Sequence, residues 1–114
     1  MRRGEIWFIN LAPTLGAEMQ KSRPAVIVND NDIGILPLKV IVPITDWKDR
    51  YAQAPWMVRL EPSAQNGLSK PSSADAFQVR SVSEQPFVRC LGVLSLKVMD
   101  QIGTALRTVL KLTS

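Results

Sequence analysis

Histidine is missing from this sequence, and cysteine occurs once, as Cys90. These two facts exclude an internal disulfide, a zinc site of the usual Cys/His type, and a Ser–His or Cys–His nucleophile pair. No stretch approaches the roughly eighteen consecutive apolar residues of a membrane span. The basic start, Met1-Arg2-Arg3, is followed by Glu5, Asn10 and Pro13, which interrupt the apolar segment that an export signal needs. We therefore expect a cytoplasmic protein in a reducing compartment.

Aromatic residues make up only 6% of the 114 residues, against 21% charged and 46% hydrophobic residues. This composition is typical of one compact domain, which we place at residues 1–114. The net charge is +4, and no basic run concentrates it, so a basic surface for a polyanionic partner has to be assembled by folding. Because so small a domain buries only about two-thirds of its chain surface, pairing with a second copy would stabilise it.

Short β-branched and aromatic runs, separated by turn residues, predict an antiparallel sheet. We expect strands at residues 4–10, 25–28, 38–45, 56–60, 73–82 and 87–93, and polar loops at 17–24 and 46–53. Pro43 indicates a sheet edge or a bulge, since proline cannot donate a ladder hydrogen bond. Apolar residues recur every three or four positions from Val98 to Leu110, which predicts an amphipathic helix capped by Ser95. The predicted fold class is mainly β with a C-terminal helix, a small curled antiparallel barrel.

Arg23 and Thr45 are the first candidates for a functional site. Pro24 restrains Arg23 to an extended conformation and so fixes the direction of a planar, permanently charged fork that suits a phosphate. The alternative is a surface arginine in a salt bridge with Glu18 or Glu5. Thr45 ends a predicted strand with a hydroxyl that can donate to a phosphate oxygen. Its alternative is a strand-end threonine bonded to its own backbone.

Asp75, Gln78 and Arg80 form a third polar group on the strand predicted at residues 73–82. Strict alternation puts Gln78 and Arg80 on one face of that strand and Asp75 on the other. The alternative to a functional role is a solvated sheet face.

Trp47, Tyr51 and Trp56 could stack on unpaired bases, as aromatic residues do in proteins that bind single-stranded RNA. Trp56 heads an alternating strand and is equally suited to the core. Asp30 and Asp32 look like paired carboxylates, but their Asn and Gly neighbours favour a turn.

The order of these pieces along the chain resembles the MazF/PemK toxin family. The shared pieces are Arg3-Gly4-Glu5-Ile6-Trp7, Leu11-Ala12-Pro13-Thr14 with Gly16 and Glu18, Arg23-Pro24-Ala25-Val26-Ile27-Val28, Val42-Pro43-Ile44-Thr45, Phe77-Gln78-Val79-Arg80-Ser81-Val82 and the final helix. Each piece is weak alone, but together they cover almost the whole chain in the right order. The resemblance implies a barrel similar to an SH3 domain, with a C-terminal helix.

The resemblance also implies a function: a toxin that inhibits translation and growth by cutting single-stranded RNA at a short sequence, leaving a cyclic phosphate and a 5′-hydroxyl. In the family, the arginine before the proline and the threonine that ends the VPIT-type strand are the active pair, here Arg23 and Thr45. The residues then expected to bind RNA are Glu18, Gln20, Lys21, Ser22, Asp75 and Gln78. The general base stays open between Glu18 and Asp75, and no metal or cofactor is expected.

The implied partners are single-stranded RNA, a second copy of the chain in a homodimer, and a cognate antitoxin whose acidic tail occupies the RNA groove. Several family members carry an acidic residue where this chain has Phe77, some carry an arginine where it has Asp75, and some a histidine where it has Ala17. A mechanism through Arg23 and Thr45 therefore fits this sequence better than one through an aspartate with arginine and histidine.

Two other functions are compatible with the same fold. A CcdB-like gyrase inhibitor acts through a C-terminal end that contains tryptophan, whereas no tryptophan follows Trp56 here. A noncatalytic SH3-like module would show an aromatic groove for proline-rich peptides, which 6% aromatic residues do not suggest.

Overall fold

The structure, a computed structural model, describes residues 1–10, 22–34 and 37–112. Its strands are β1 (Glu5–Ile9), β2 (Arg23–Ile27), β3 (Leu38–Asp46), β4 (Met57–Leu60), β5 (Ser72–Asp75), β6 (Arg80–Ser83) and β7 (Phe87–Val93). The helix α1 spans Leu96–Leu110, and two one-turn 3-10 helices span Asp49–Gln53 and Ala76–Gln78. The first of these short helices lies in the segment expected to be a loop.

The strands form one seven-stranded antiparallel sheet with the order β4-β5-β3-β2-β1-β7, and β6 also pairs with β3. The nine-residue β3 is central because it pairs with β2 along one edge and with β6 and then β5 along the other. The predicted fold class, mainly β with a C-terminal helix, is confirmed.

The strand predicted for residues 73–82 is interrupted in the middle. β5 ends at Asp75, the Ala76–Gln78 turn follows, and β6 begins at Arg80. The turn forms here because the Asp75 carboxylate accepts a hydrogen bond from the backbone N–H of Phe77 at 3.1 Å. Such local side-chain bonds compete with the strand ladder.

Pro43 lies inside the sheet, at the place where this interruption occurs. β6 pairs with β3 as far as Ile41, and β5 pairs with it from Ile44 onwards. The expectation of a sheet edge at Pro43 is therefore wrong, and the register of β3 with β2 passes through Pro43 without the alternative bulge. A proline is tolerated in an interior strand because the ladder along one of its edges is broken at that point.

The interruption also changes which residues share a face. Ser73 pairs with Thr45, and Arg80 pairs with Ile41. Odd-numbered residues of β3 point to one face, and directly paired residues share a face. Arg80 therefore lies on the same face as Ser73 and Asp75, and the alternation predicted from the sequence is wrong beyond Asp75.

The two faces of the sheet have different neighbours. One face, which we call the helix face, packs against α1, and its core includes Val26, Val42, Ile44 and Ala74 of the sheet with Ile102 of the helix. The opposite face, which we call the distal face, has a smaller core of Ile9, Ala25, Ile27, Ile41 and Val82, flanked by Trp7 and Phe87. Arg23 of β2 and Thr45 of β3 also lie on the distal face, beyond its core residues and near one end of the sheet.

Helix α1 begins where the sequence predicts. The Ser95 hydroxyl accepts a hydrogen bond from the backbone N–H of Val98 at 3.2 Å. Met99, Ile102 and Ala105 are buried against the helix face. In the part of the chain that the structure describes, no helix has the length and apolarity needed to cross a bilayer.

Candidate active site

Arg23 and Thr45 meet at the end of the β2–β3 ladder. Ala25 pairs with Pro43, so two residues further along this antiparallel ladder Arg23 faces Thr45. Arg23 Nη1 donates a hydrogen bond to Thr45 Oγ1 at 3.0 Å. Arg23 and Pro24 are the first residues of β2, although the sequence predicted them in the preceding loop. The extended conformation that Pro24 imposes on Arg23 is itself a strand conformation, which explains the difference.

The guanidinium of Arg23 is half-buried and incompletely satisfied. Its Nε is buried, and among the residues that the structure describes no hydrogen-bond partner accepts from it. Within residues 1–10, 22–34 and 37–112, Arg23 makes no ion pair. A salt bridge with Glu5 is therefore excluded, while Glu18 lies outside the described residues. A buried donor without a partner costs about 1–3 kcal/mol, so Arg23 is a favourable position for an acceptor supplied by a ligand.

Glu5 is instead held by its own neighbours on β1. Its Oε1 accepts hydrogen bonds from Trp7 Nε1 at 3.0 Å and from the backbone N–H of Arg2 at 2.9 Å. Partial burial raises the pKa of Glu5, but these hydrogen bonds and the charge of the Met1 amino group outweigh that effect and lower the pKa below its ordinary 4.5. Glu5 is thus a structural carboxylate.

A cleft of about 440 Å³ opens beside the Arg23–Thr45 contact. Its lining includes three cations, Arg23, Lys70 and Arg89, and one carboxylate, Asp46. Lys70 Nζ lies 3.1 Å from Asp46 Oδ2, and both side chains are exposed. The cleft therefore has a positive charge excess beside a hydroxyl, which suits a phosphodiester.

Ser22 also lines this cleft, as expected for a residue that contacts a ligand there. Its hydroxyl donates to Asn10 Oδ1 at 2.9 Å, which links the start of β2 to the end of β1. Lys70 and Arg89 were not singled out from the sequence. Neither has a local signal, since one is in a loop and the other in an alternating strand, and only the fold brings them beside Arg23.

Asp75 and Gln78 lie outside the lining of this cleft. Asp75 is 7% exposed, and its two oxygens accept from the Phe77 backbone at 3.1 Å and from Gln78 Nε2 at 2.8 Å. The alternative of a solvated sheet face is wrong for Asp75, because it is buried as the cap of the Ala76–Gln78 turn. It still shares the distal face with Thr45, from which it is offset by one strand and two residues.

The remaining candidates divide into described and undescribed residues. Glu18, Gln20 and Lys21 lie outside the described residues. Asp30 Oδ1 accepts from the backbone N–H of Asp32 at 3.0 Å, which confirms a turn. Among described residues, no three His, Cys, Asp or Glu side chains are grouped closely enough to hold a metal ion.

The aromatic candidates differ in how accessible their rings are. The Arg59 guanidinium lies 4.8 Å from the Trp47 ring centroid, and Tyr51 packs edge-on at 5.9 Å, so Trp47 is covered by its own neighbours. Trp56 is instead 36% exposed, which decides against the core alternative for this residue. It packs against Phe77, which is 65% exposed.

Solved structures with the same fold include MazF proteins and an endoribonuclease bound to its antitoxin. Superposition on MazF from Deinococcus radiodurans gives a TM-score of 0.80 at 21% identity, covering 98% of this chain and 97% of that one. An endoribonuclease in complex with its cognate antitoxin, from a mycobacterial species, matches with a TM-score of 0.77 at 23% identity, covering 100% of this chain and 98% of that one. At these identities the likeness establishes the fold.

Sequence comparisons reach further. Endoribonuclease MazF9 of Mycobacterium tuberculosis is 32% identical over 121 residues, covering 100% of this chain and 99% of its own length. Endoribonuclease EndoA of Bacillus subtilis is 27% identical, covering 98% of this chain and 96% of its own length. The family model of PemK-like, MazF-like toxins matches residues 2–110. The chain belongs to the PemK-like, MazF-like toxins of type II toxin–antitoxin systems.

Proposed function

We propose that this chain is an endoribonuclease that cuts single-stranded RNA and thereby inhibits translation and growth, with Arg23 and Thr45 acting on the phosphate at the cleaved bond. The observation that carries the proposal is the 3.0 Å contact between Arg23 Nη1 and Thr45 Oγ1 beside a cleft with excess positive charge. The endoribonuclease activity named for the relatives supports it. The family match gives no support to the gyrase-inhibitor and peptide-module alternatives.

The reaction uses a nucleophile that RNA itself carries. The 2′-oxygen attacks the adjacent phosphorus and forms the 2′,3′-cyclic phosphate, while the bond from phosphorus to the 5′-oxygen breaks. The 2′-hydroxyl gives up one proton, and the departing 5′-oxygen accepts one. The protein then has to align the strand, stabilise charge on the phosphoryl oxygens and manage these two protons. We therefore propose that cleavage needs no metal.

Arg23 is assigned to the phosphoryl oxygens. Its planar fork can offer two parallel donors to a phosphate, and its charge is fixed at physiological pH. The buried Nε, which no described residue engages, can serve the substrate as a second donor beside the one that Thr45 already engages. We propose that the same guanidinium, once bound to the phosphoryl oxygens, also donates the proton that the departing 5′-oxygen accepts.

Thr45 is assigned to positioning. Its hydroxyl accepts from Arg23 and can turn its own hydrogen toward a phosphate oxygen. The hydrogen bond also limits the rotamers of a long arginine side chain, whose freedom would otherwise be lost on binding. Preorganisation of this kind lowers the barrier because the charge is in place before the reaction begins.

The base that removes the 2′ proton is proposed to be Glu18 or Asp75. An arginine stays protonated and is a poor base. Asp75 is a described carboxylate on the distal face, but both its oxygens already accept hydrogen bonds. The variant Asp75→Asn distinguishes the two candidates. A loss of cleavage with an unchanged melting temperature supports Asp75 as the base, and full activity leaves Glu18 as the proposed base.

The RNA strand is proposed to run along the cleft and past the segments that flank it. Ser22 lines the cleft, and Glu18, Gln20 and Lys21 precede it in sequence. Asp75 and Gln78 would contact the strand further along the distal face. The single-stranded form is favoured because cleavage needs an unpaired nucleotide that can adopt in-line geometry.

We further propose that the chain forms a homodimer and that a cognate antitoxin blocks it with an acidic segment. The net charge of +4 and the positively charged cleft support such a partner. Sedimentation of the purified chain measures the first claim. The second predicts that an acidic antitoxin segment competes with RNA, and more weakly as salt increases.

The activity is tested by incubating the purified protein with a long RNA in EDTA and mapping the fragment ends. We expect cuts at one short sequence, with 5′-hydroxyl and cyclic-phosphate ends. RNA that stays intact with and without added divalent cations would contradict the proposal. Cleavage only when a metal is restored would keep the activity and overturn the metal-independent mechanism.

A further inference from the structure

A second depression lies next to the exposed aromatic side chains. It has a volume of about 310 Å³ and is lined by Arg50, Tyr51, Gln53, Ala54, Trp56 and Met57. Phe77 is not part of this lining but packs edge-on against Trp56, with the two ring centroids 5.9 Å apart. We call this site, including Phe77, the aromatic groove. Phe77 is 65% exposed, which is more than any other aromatic side chain among the described residues.

The aromatic groove is held by backbone hydrogen bonds. The backbone N–H of Ala76 donates to the carbonyl of Trp56 at 3.0 Å, which ties the two aromatic segments together. The backbone N–H of Met57 donates to the carbonyl of Ala54 at 3.0 Å and closes the turn before β4. With the Asp75 cap on the backbone N–H of Phe77, these bonds fix the backbone from which both rings project before any ligand arrives. A preformed aromatic surface loses little entropy on binding.

The aromatic groove adjoins the candidate active site through the sheet. Met57 Sδ accepts a hydrogen bond from Ser73 Oγ at 3.2 Å, and Ser73 pairs with Thr45 on the next strand. Met57 pairs with Asp75, so Met57, Ser73 and Thr45 all lie on the distal face. Two strand spacings and a two-residue offset put Met57 roughly 12 Å from Thr45. A single-stranded RNA bound at Arg23 and Thr45 can therefore extend over the aromatic groove.

We infer that the aromatic groove stacks an unpaired base of the substrate RNA, close to the cleaved phosphate, and so contributes to the choice of cleavage sequence. The inference rests on the proposed function. Arg50 is the charged residue in the lining, and its guanidinium lies 5.5 Å from the Tyr51 ring centroid. Aromatic faces beside an arginine, without a lining carboxylate, are the environment in which bases stack and phosphates are neutralised. The volume is at the low end for small-molecule sites, about 300 Å³ and above, which suits one ring system rather than a peptide helix.

The test measures binding of an RNA that cannot be cut. The probe is a short single-stranded oligonucleotide with the cleavage sequence, or with a random sequence if no RNA is cut. Methyl groups on its 2′-oxygens remove the nucleophile. Its affinity is measured by fluorescence anisotropy for the wild-type chain, Phe77→Ala, Phe77→Trp and Leu96→Ala. Leu96 is 85% exposed at the start of α1 and serves as a matched truncation of an exposed apolar side chain. A series of oligonucleotides that each lack one base locates the stacked position.

We expect Phe77→Ala to weaken binding about 5- to 150-fold, Phe77→Trp to preserve it, and Leu96→Ala to have no effect. Loss of one particular base should weaken binding to the wild type but not further weaken binding to Phe77→Ala. With cleavable RNA, Phe77→Ala should raise KM more than it lowers kcat.

Equal affinities of the wild type and Phe77→Ala would overturn the inference. It would also be overturned if, for every base, removing that base weakened binding to Phe77→Ala as much as it weakens binding to the wild type. A change in sedimentation with unchanged RNA affinity would also overturn it, because the surface would then be a contact between copies. The proposed activity fails separately: if no RNA is cut but Phe77-dependent, base-coupled binding persists, the inference stands and the nuclease proposal does not.

Discussion

Replacing Arg23 with methionine separates the proposed catalytic role of this residue from its structural one. Arg23→Met keeps most of the aliphatic stem and removes the charge and all the donors. Loss of one preorganised donor to a developing oxyanion lowers kcat about 10²- to 10³-fold. Arg23 offers a full charge and more than one donor, so we expect a fall in kcat/KM of at least about 10³-fold.

The effect of the same substitution on stability should be small, because two terms oppose each other. The variant loses the hydrogen bond to Thr45, which as a bond from a charged group is worth about 1.5–3 kcal/mol. It also removes the buried Nε, whose missing partner costs about 1–3 kcal/mol. The free energy of unfolding should therefore change by no more than about 2 kcal/mol, or roughly 8 °C in Tm.

The assay pairs single-turnover cleavage of a mapped RNA with thermal unfolding, and Arg107→Met is the matched control. Arg107 is an exposed arginine in the last turn of α1, on the opposite side of the sheet. We expect this control to retain activity. Cleavage by Arg23→Met within tenfold of the wild type would refute the assigned role. A loss of several kcal/mol in stability would refute the claim that Arg23 is poorly satisfied in the free protein.

Three further predictions follow from specific contacts. Thr45→Val should reduce kcat/KM about 10- to 100-fold and Thr45→Ser should restore most of it, as read by single-turnover cleavage; equal loss in both would exclude a role for the hydroxyl. The lowered pKa of Glu5 means that its stabilisation is present above the ordinary value of 4.5 and is lost as the pH falls through the folded-state pKa. The Tm difference between the wild type and Glu5→Gln should therefore shrink from pH 7 to pH 3, and a constant difference would contradict this reasoning. Gly92→Ala would place Cβ 2.2 Å from the backbone oxygen of Gln65 and should lower the free energy of unfolding by about 3 kcal/mol, whereas Gly103→Ala, with no atom within 4 Å, should raise it by about 0.5–1 kcal/mol. Urea denaturation checks both glycine variants, and equal effects would refute the steric argument.

The parts of the fold that depend on local patterns could be predicted from the sequence. Helix α1 has a regular apolar period and a serine cap, and both signals lie within a few residues of each other. The break between β5 and β6 was missed because Ser73 to Val82 alternates as a continuous strand does. The hydrogen bond from the backbone N–H of Phe77 to Asp75 forms a turn in spite of that pattern. The turn fits because neither β5 nor β6 pairs with β3 at Pro43. Recognising the two features together requires knowing that they lie on adjacent strands.

The residues of the candidate site likewise divide into those that a local sequence signal identifies and those that only the fold brings together. Arg23 was singled out by its proline neighbour and Thr45 by its position at a strand end, so the pair could be found without coordinates. Lys70 and Arg89 could not, because each is an isolated cation in its own segment and only the folded sheet brings both to the cleft. The exposure of Phe77 likewise depends on the turn that interrupts the strand.

The three cations of the cleft are not equivalent, and the difference explains why Arg23 is the one assigned to the reacting phosphate. Lys70 is exposed and lies beside Asp46, so its charge is partly neutralised and strongly screened. Arg89 lies 5.7 Å from the ring centroid of Phe8 and is exposed as well. Arg23 is half-buried, makes no ion pair among the described residues and is held in position by Thr45. A phosphate that binds there displaces no carboxylate of the described residues, and it meets a charge in a less polar environment, where each charge–charge contact is stronger than in water. Lys70 and Arg89 would then attract the RNA, whereas Arg23 would act on the bond that breaks.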